Sequence, residues 1–265
     1  MKYWWSCGMI LFLAFCATAA DGQGQYNLST MPVENQRVQS LTLYLWVPGQ
    51  HGTVTVRGIP FNVDTSVSDT WHTLIKDFEG GFAGHYENTK LPWTLIVDVM
   101  YVNLEQSRAT RLGTLTINPE TGIAEIAGTY TLGVSTPGCP QSTRMEVLGG
   151  LRYTAIHLGL TGATGAGRSG GKNWTEPFVG ARVTQRFSPR WAGSLRGDLG
   201  GFQTGDTSDF TWNVIVTAQY NLSAQWALDA GWRWLSYNYV TGEGTSRFSY
   251  DVVLSGPFVA TTYRY

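Results

Sequence analysis

The segment WALDAGWRWLSYNY, residues 226–239, alternates with a period of two. Trp226, Leu228, Ala230, Trp232 and Trp234 fall on one face, while Asp229, Gly231 and Arg233 fall on the other. Successive side chains of a strand point to opposite sides, so the segment reads as a strand with one apolar and one charged face. The pattern recurs. In 211–222, Trp212, Val214, Val216, Ala218, Tyr220 and Leu222 oppose Thr211, Asn213, Thr217 and Gln219. In 174–187, Val179, Ala181, Val183 and Phe187 oppose Glu176, Arg182, Thr184 and Arg186. In 143–157, Val147, Leu151, Tyr153 and Ala155 oppose Arg144, Glu146, Arg152 and Thr154, and in 93–102 five apolar residues from Trp93 to Tyr101 oppose Thr94 and Asp98.

One or two charges per strand are too few to cover a solvated exterior. Charged residues make up 14% of the 265 residues and aromatics 13%, where a soluble domain carries about 25% charged residues. The aromatic content also excludes disorder, and a net charge of −1 offers nucleic acid no basic face. A mean hydropathy of −0.11 is too polar for a bundle of membrane helices. After residue 20 no run of 18 apolar residues occurs. A chain of this kind enters a membrane only as a closed barrel, because lipid cannot satisfy an open strand edge.

The fold expected is therefore all-β, an antiparallel transmembrane β-barrel. Ten strands are read at 41–48, 79–87, 93–102, 122–135, 143–157, 174–187, 191–202, 211–222, 226–239 and 248–265. Eight would remain if the first hairpin lay outside the barrel. Short connections at Asn88–Leu91, Ser188–Arg190 and Ser223–Gln225, with a longer one at Pro137–Gln141, alternate with long ones at 49–78, 106–121, 159–173, 203–208 and 240–247. Short periplasmic turns and long external loops follow this parity in outer-membrane barrels. Within the first long loop Trp71, Leu74, Ile75 and Phe78 recur at helical spacing, with Ser68 or Asp69 as cap. They predict a short amphipathic helix against the rim or dipping into the mouth.

The chain opens with Lys2, an apolar run from Met9 to Phe15 and the small residues Ala17 to Ala20, the pattern of a secretory signal peptide. The expected organisation is a signal peptide at 1–20, a flexible periplasmic lead-in at 21–39 and a barrel at 40–265. Removing the leader takes Cys7 and Cys16 with it and leaves Cys139 alone, so neither a disulfide nor a thiolate metal site is expected.

The last residues, SGPFVATTYRY, place Tyr263 and Tyr265 on alternate positions and end on an aromatic residue. This resembles the C-terminal assembly signal of bacterial outer-membrane proteins, with Tyr265 where Phe is common. With the leader and the segment LTLYLWVPGQHGTVTV, the chain over roughly residues 40–265 resembles a small outer-membrane β-barrel of the broad OmpA/OmpW-like kind. The resemblance implies residence in the outer membrane of a Gram-negative bacterium, contact with its lipid, and delivery by the barrel-assembly machinery. It brings no catalytic motif. A monomer is expected, with no cofactor and no metal.

Asp98, Glu125, Glu146, Glu176, Asp198 and Asp229 share the lumen faces with Arg144, Arg152, Arg182, Arg186, Arg196 and Arg233. Six acids against six arginines fit either a narrow pore with charged rings or a plug of Arg–carboxylate pairs filling a small barrel. Trp93, Trp174, Phe187, Trp191, Tyr220, Trp226 and Trp234 lie near strand ends and are read as the interfacial aromatic girdle. His51 and His72 fall in the first external loop and His85 low on the second strand. His157 lies near the outer end of its strand, but Gly159 follows on its face and no nearby serine or carboxylate completes a nucleophile arrangement, so no enzyme is expected. Gly165, Gly167 and Gly170 spell G-x-G-x-x-G without a helix behind them and are read as a flexible external loop. Two readings of function follow. The first is an envelope-structural barrel or one that passes small solutes slowly. The second is a surface binding or adhesion protein acting through its external loops, with a lipid-modifying enzyme behind both.

Overall fold

The computed structural model describes residues 37–56, 58–104, 106–110, 113–135, 142–161, 167–202 and 208–265. The leader, the lead-in up to residue 36, Gly165 and Cys139 with its turn lie outside them. In chain order the elements are β1 (Arg37–Trp46), β2 (Gly49–Val56), β3 (Ile59–Thr65), α1 (Val67–Asp77), β4 (Phe78–Lys90), β5 (Trp93–Leu104), β6 (Gln106–Thr110) and β7 (Gly113–Ser135). Then come β8 (Ser142–Thr161), β9 (Gly167–Arg186), β10 (Trp191–Gly201), β11 (Phe210–Asn221), β12 (Trp226–Thr241) and β13 (Phe248–Arg264).

Ten of these strands form a closed antiparallel wall in the order β1-β4-β5-β7-β8-β9-β10-β11-β12-β13. Closure is between the first and last strands, from Ser40 opposite Arg264 to Trp46 opposite Phe258. Following paired residues once round from Ser40, through Glu87, Ala127, Phe178 and Tyr237, the path returns at Gly52, twelve residues further along. A stagger of that size on ten strands tilts them by about 40° to the barrel axis.

Alternation decides what faces lipid. Leu41, Leu43, Leu95, Val147, Leu151, Val179, Leu195, Val216 and Val259 are exposed on the outer surface. Towards the short turns the exterior carries paired aromatics, with ring centroids 4.9 Å apart for Trp93 and Tyr130, 4.9 Å for Trp191 and Tyr220, and 4.8 Å for Trp226 and Tyr263. Towards the other end Phe82, Tyr101, Tyr153 and Phe210 are exposed. Trp93 and Tyr101 are eight residues apart on β5, which in a strand tilted by about 40° is about 20 Å of height, close to the apolar band of an outer-membrane barrel. The architecture is that of a small outer-membrane β-barrel, as the sequence resemblance implied.

Four local features differ from the sequence reading. The loop read at 49–78 holds a hairpin as well as a helix, because β2 continues along the β13 edge above β1 and pairs with β3. Pro48, which has no N–H to give a ladder, stands where β1 hands over to β2. The loops read at 106–121 and 159–173 are largely strand. β6 pairs with the start of β7, and the ladder of β8 with β9 runs out to Thr161 opposite Gly167. Gly167 and Gly170 are therefore strand residues and not part of a loop. Above the lipid band the outward positions no longer need to be apolar, so the period-two signal fades while the backbone ladder continues. β1 begins at Arg37, three residues inside the segment read as lead-in. Finally, Ser66 caps α1 in place of Ser68 or Asp69. The Asp69 backbone N–H donates to Ser66 Oγ at 3.1 Å and the Ser66 backbone N–H donates to the Asp69 carboxylate at 3.1 Å, a reciprocal box of the S-x-x-D kind. The Ser66 hydroxyl adds a third bond to that carboxylate at 2.7 Å.

Candidate functional site: the barrel lumen

The twelve charged residues singled out in the sequence all lie inside the wall with less than a tenth of their surface exposed. They sort into levels. The central level is built on Glu125 of β7. Its Oε1 accepts from Arg152 Nε at 2.8 Å and from Arg233 Nη2 at 3.0 Å, and its Oε2 accepts from Arg196 Nη2 at 2.8 Å. β7 and β12 are five strands apart on a wall of ten, so the Glu125–Arg233 bond crosses the full diameter of the lumen. Arg152 also donates to Asp198 at 2.6 Å and to Glu176 at 3.5 Å. Arg196 closes onto Asp198 at 2.9 Å, and Asn213 donates to Asp198 at 2.8 Å while accepting from Arg233 at 3.0 Å. Phe178, itself buried, lies under the Arg152 and Arg196 guanidiniums at 4.8 and 5.5 Å from its ring centroid, and Arg233 lies 5.0 Å from the Trp46 ring. Every charge at this level is paired and hydrogen-bonded, which a desolvated ion cluster requires.

A second level lies nearer the short turns. Arg182 of β9 donates to Glu146 at 2.7 Å and pairs across the lumen with Glu87 of β4. Thr129 donates to Glu146 at 2.9 Å, and Arg144 approaches the same carboxylate at 3.4 Å. His85 lies between Glu87 and Asp98, with one ring nitrogen 3.0 Å from each carboxylate, and Tyr44 donates to Asp98 at 2.9 Å. Asp229 accepts from Gln219 at 2.7 Å and from Thr262 at 2.6 Å, and Arg264 donates to Gln219 at 2.6 Å and to Asn221 at 2.9 Å. Arg186 is buried at the same end. Between these side chains the lumen holds a cavity of about 250 Å³, lined by Thr42, Ser194, Thr217, Asp229 and Thr262 among others.

Above the central level the lumen is filled by apolar and aromatic side chains. Trp174 stacks on Tyr239 with centroids 4.4 Å apart and meets Tyr237 edge-on at 5.5 Å. Trp46, Met100, Ile123, Leu235, Tyr250, Val252 and Leu254 complete the cluster, and Thr154 and Tyr237 share a hydrogen bond of 2.9 Å.

Trp174 corrects the girdle assignment. It is 3% exposed and faces inward. On β9 it shares the parity of Glu176, two residues on, so alternation alone places it in the lumen. Trp93, Phe187, Trp191 and Trp226 are exposed on the exterior, and Tyr220 and Trp234 are half-buried there. Tyr263 and Tyr265 are exposed with their rings stacked 6.0 Å apart, and Arg264 between them turns into the lumen.

His85, Glu87, Tyr44 and Arg264 are among the lumen groups that the sequence reading left out of the network. Ala83, His85, Glu87 and Thr89 do alternate, but Gly80 and Gly84 dilute the apolar face that would have marked the strand. Among the other histidines, His51 is exposed and 2.7 Å from Asp64, and His72 and His157 are exposed.

No protein-family model matches the sequence, and no curated protein matches it. Among solved structures the chain is similar to the outer membrane protease OmpT of Escherichia coli, with a TM-score of 0.49 and 8% identity over 90% of this chain and 100% of that one. It is also similar to Ail, the attachment invasion locus protein of Yersinia pestis, at a TM-score of 0.37 and 9% identity over 88% of this chain and 100% of that one. Neisserial surface protein A gives a TM-score of 0.31 and 10% identity, covering 86% and 95%.

Proposed function

We propose that the protein is an occluded integral barrel of the bacterial outer membrane, serving the envelope as a structural element and not as an open pore. The observation that carries this reading is the bond from Glu125 to Arg233 across the lumen, held in place by Arg152 and Arg196 on the same carboxylate. A permeant ion would have to break a cluster in which each charge already has its partner, and each broken partnership leaves a buried charge at a cost of several kcal/mol. The aromatic layer above closes the same path a second time.

Planar-bilayer recordings on folded protein, identified by its anomalous migration without boiling, test the proposal. No conductance step is expected. A reproducible step that grows with salt would overturn the occluded reading and favour slow solute passage.

The alternative reading, a surface-binding protein, is favoured by strand length. β7, β8 and β9 run for 23, 20 and 20 residues. A tilted strand of 20 residues rises about 50 Å, roughly twice the apolar band. A raised wall of β6 to β9 therefore stands clear of the lipid. Shortening the β6–β7 hairpin should leave the barrel folded, and only the surface-binding reading expects loss of cell attachment.

A further inference from the structure

α1 stands at the corner between the barrel wall and the outer lipid boundary. β3 ends at Thr65, opposite Gln50, and β4 starts at Phe78, opposite Leu104. Phe82 and Tyr101, in the outer aromatic ring, lie four and three residues below those starting positions on their strands. The end of the helix that joins β4 therefore sits about 8–10 Å above that ring, at headgroup height.

Its position is on the outside of the wall. Tyr44 and Trp46 on β1 and Val54 on β2 point into the lumen and belong to or pack against its aromatic cluster. Val47 has the opposite parity, shared with the exposed Leu41 and Leu43, yet it is only 6% exposed. Something covers it from outside. Thr70 of α1 donates its hydroxyl to the carbonyl of the adjoining Pro48 at 2.7 Å, and Leu74, one turn on, is 5% exposed. Among the described residues none of α1 enters the lumen cluster, so the helix lies against the rim and does not dip into the mouth.

At about 100° per residue the helix divides into three edges. Thr70 and Leu74 lie against the wall. Trp71 and Ile75, next round, are 41% and 59% exposed. Asp69, His72 and Lys76 continue the circle and are also exposed. An apolar edge between a wall-bound edge and a charged one is the profile of a helix lying in a membrane interface. It is continuous with the lipid-facing strip of Leu41 and Leu43 on β1 below.

We propose that α1 is an interfacial anchor whose Trp71–Ile75 edge is embedded in the outer lipid leaflet, with His72 and Lys76 at the headgroup surface. The ligand is a lipid surface. The helix fixes the depth and rotation of the barrel on the side where the β1–β2 bend interrupts the regular wall. This goes beyond the occluded-barrel reading and stands whether or not the lumen conducts.

Spin-label accessibility tests it. With Cys7, Cys16 and Cys139 replaced by Ser, single cysteines are introduced as Trp71→Cys, His72→Cys, Ile75→Cys and Lys76→Cys, labelled, and the folded chains are placed in phospholipid vesicles. Labels at 71 and 75 are expected to collide more with oxygen, which concentrates in lipid, than with a water-soluble nickel chelate. Labels at 72 and 76 should show the reverse. Equal nickel access at all four positions would overturn the proposal by placing the helix in water. Protection of 71 and 75 from both reagents would overturn it by placing them against protein. All four positions are on the exposed surface, so the substitutions leave the barrel intact, and the gel-shift of the folded form verifies this for each.

Discussion

Glu125 receives three guanidiniums, whereas Glu87 shares Arg182 with Glu146. That difference ranks the substitutions. Glu125→Gln leaves Arg152, Arg196 and Arg233 facing a neutral amide and should destabilise the barrel by about 3–5 kcal/mol, the cost of breaking a buried ion cluster. Glu87→Gln leaves Arg182 with its Glu146 bond and should cost less than half of that. Urea unfolding in vesicles measures both, and equal losses would count against Glu125 as the hub of the network. Which residues enter the lumen was legible because parity is rigid along a strand. Who pairs with whom was not, since Glu125 and Arg233 are 108 positions apart and meet only after the barrel closes. Trp174 lies near a strand end, where aromatic residues of either face collect, and only its shared parity with Glu176 separates the lumen from the girdle.

At the level of elements, α1 and the aromatic cap each make a prediction. Two hydrogen bonds from Ser66 hold the Asp69 carboxyl below its ordinary value. A depressed folded-state value means the capping charge acts fully above about pH 4 and is lost as pH falls through the lowered value. A spin label at 75 should therefore gain mobility on acidification, and Asp69→Asn should remove that pH dependence. Trp174 contributes ring area to the cap, and its indole N–H meets no acceptor among the described residues. Trp174→Phe should thus be nearly neutral, while Trp174→Ala should cost about 3–5 kcal/mol for the buried ring it deletes; similar losses for the two would show that the stacking is not what matters. The sequence revealed strands wherever lipid lay on one side and the lumen on the other. It concealed β2, β3, β6 and the outer ends of β7 to β9, which lie beyond the height at which outward positions must be apolar.

For the whole molecule, the stacked levels imply that occlusion is redundant. Replacing Glu125 and Arg233 together by Ala removes one charge of each sign and the bridge across the diameter, while Arg152 and Arg196 keep Asp198 as partner. In the aromatic cluster above, that pair of changes removes the Arg233 contact with Trp46 but leaves the stack of Trp174 on Tyr239 in place, so the double variant should remain silent in planar bilayers. Adding Trp174→Ala takes out the ring that stacks on Tyr239 and borders Tyr237 and Tyr250. That triple variant should show a conductance step, with ion preference set by the charges left on the inner wall. If the double variant conducts as well as the triple one, the ion-paired level is the only barrier and the aromatic layer serves packing alone. If the triple variant folds and stays closed, the seal lies in the remaining lumen side chains, with Arg152 and its carboxylates the first to replace.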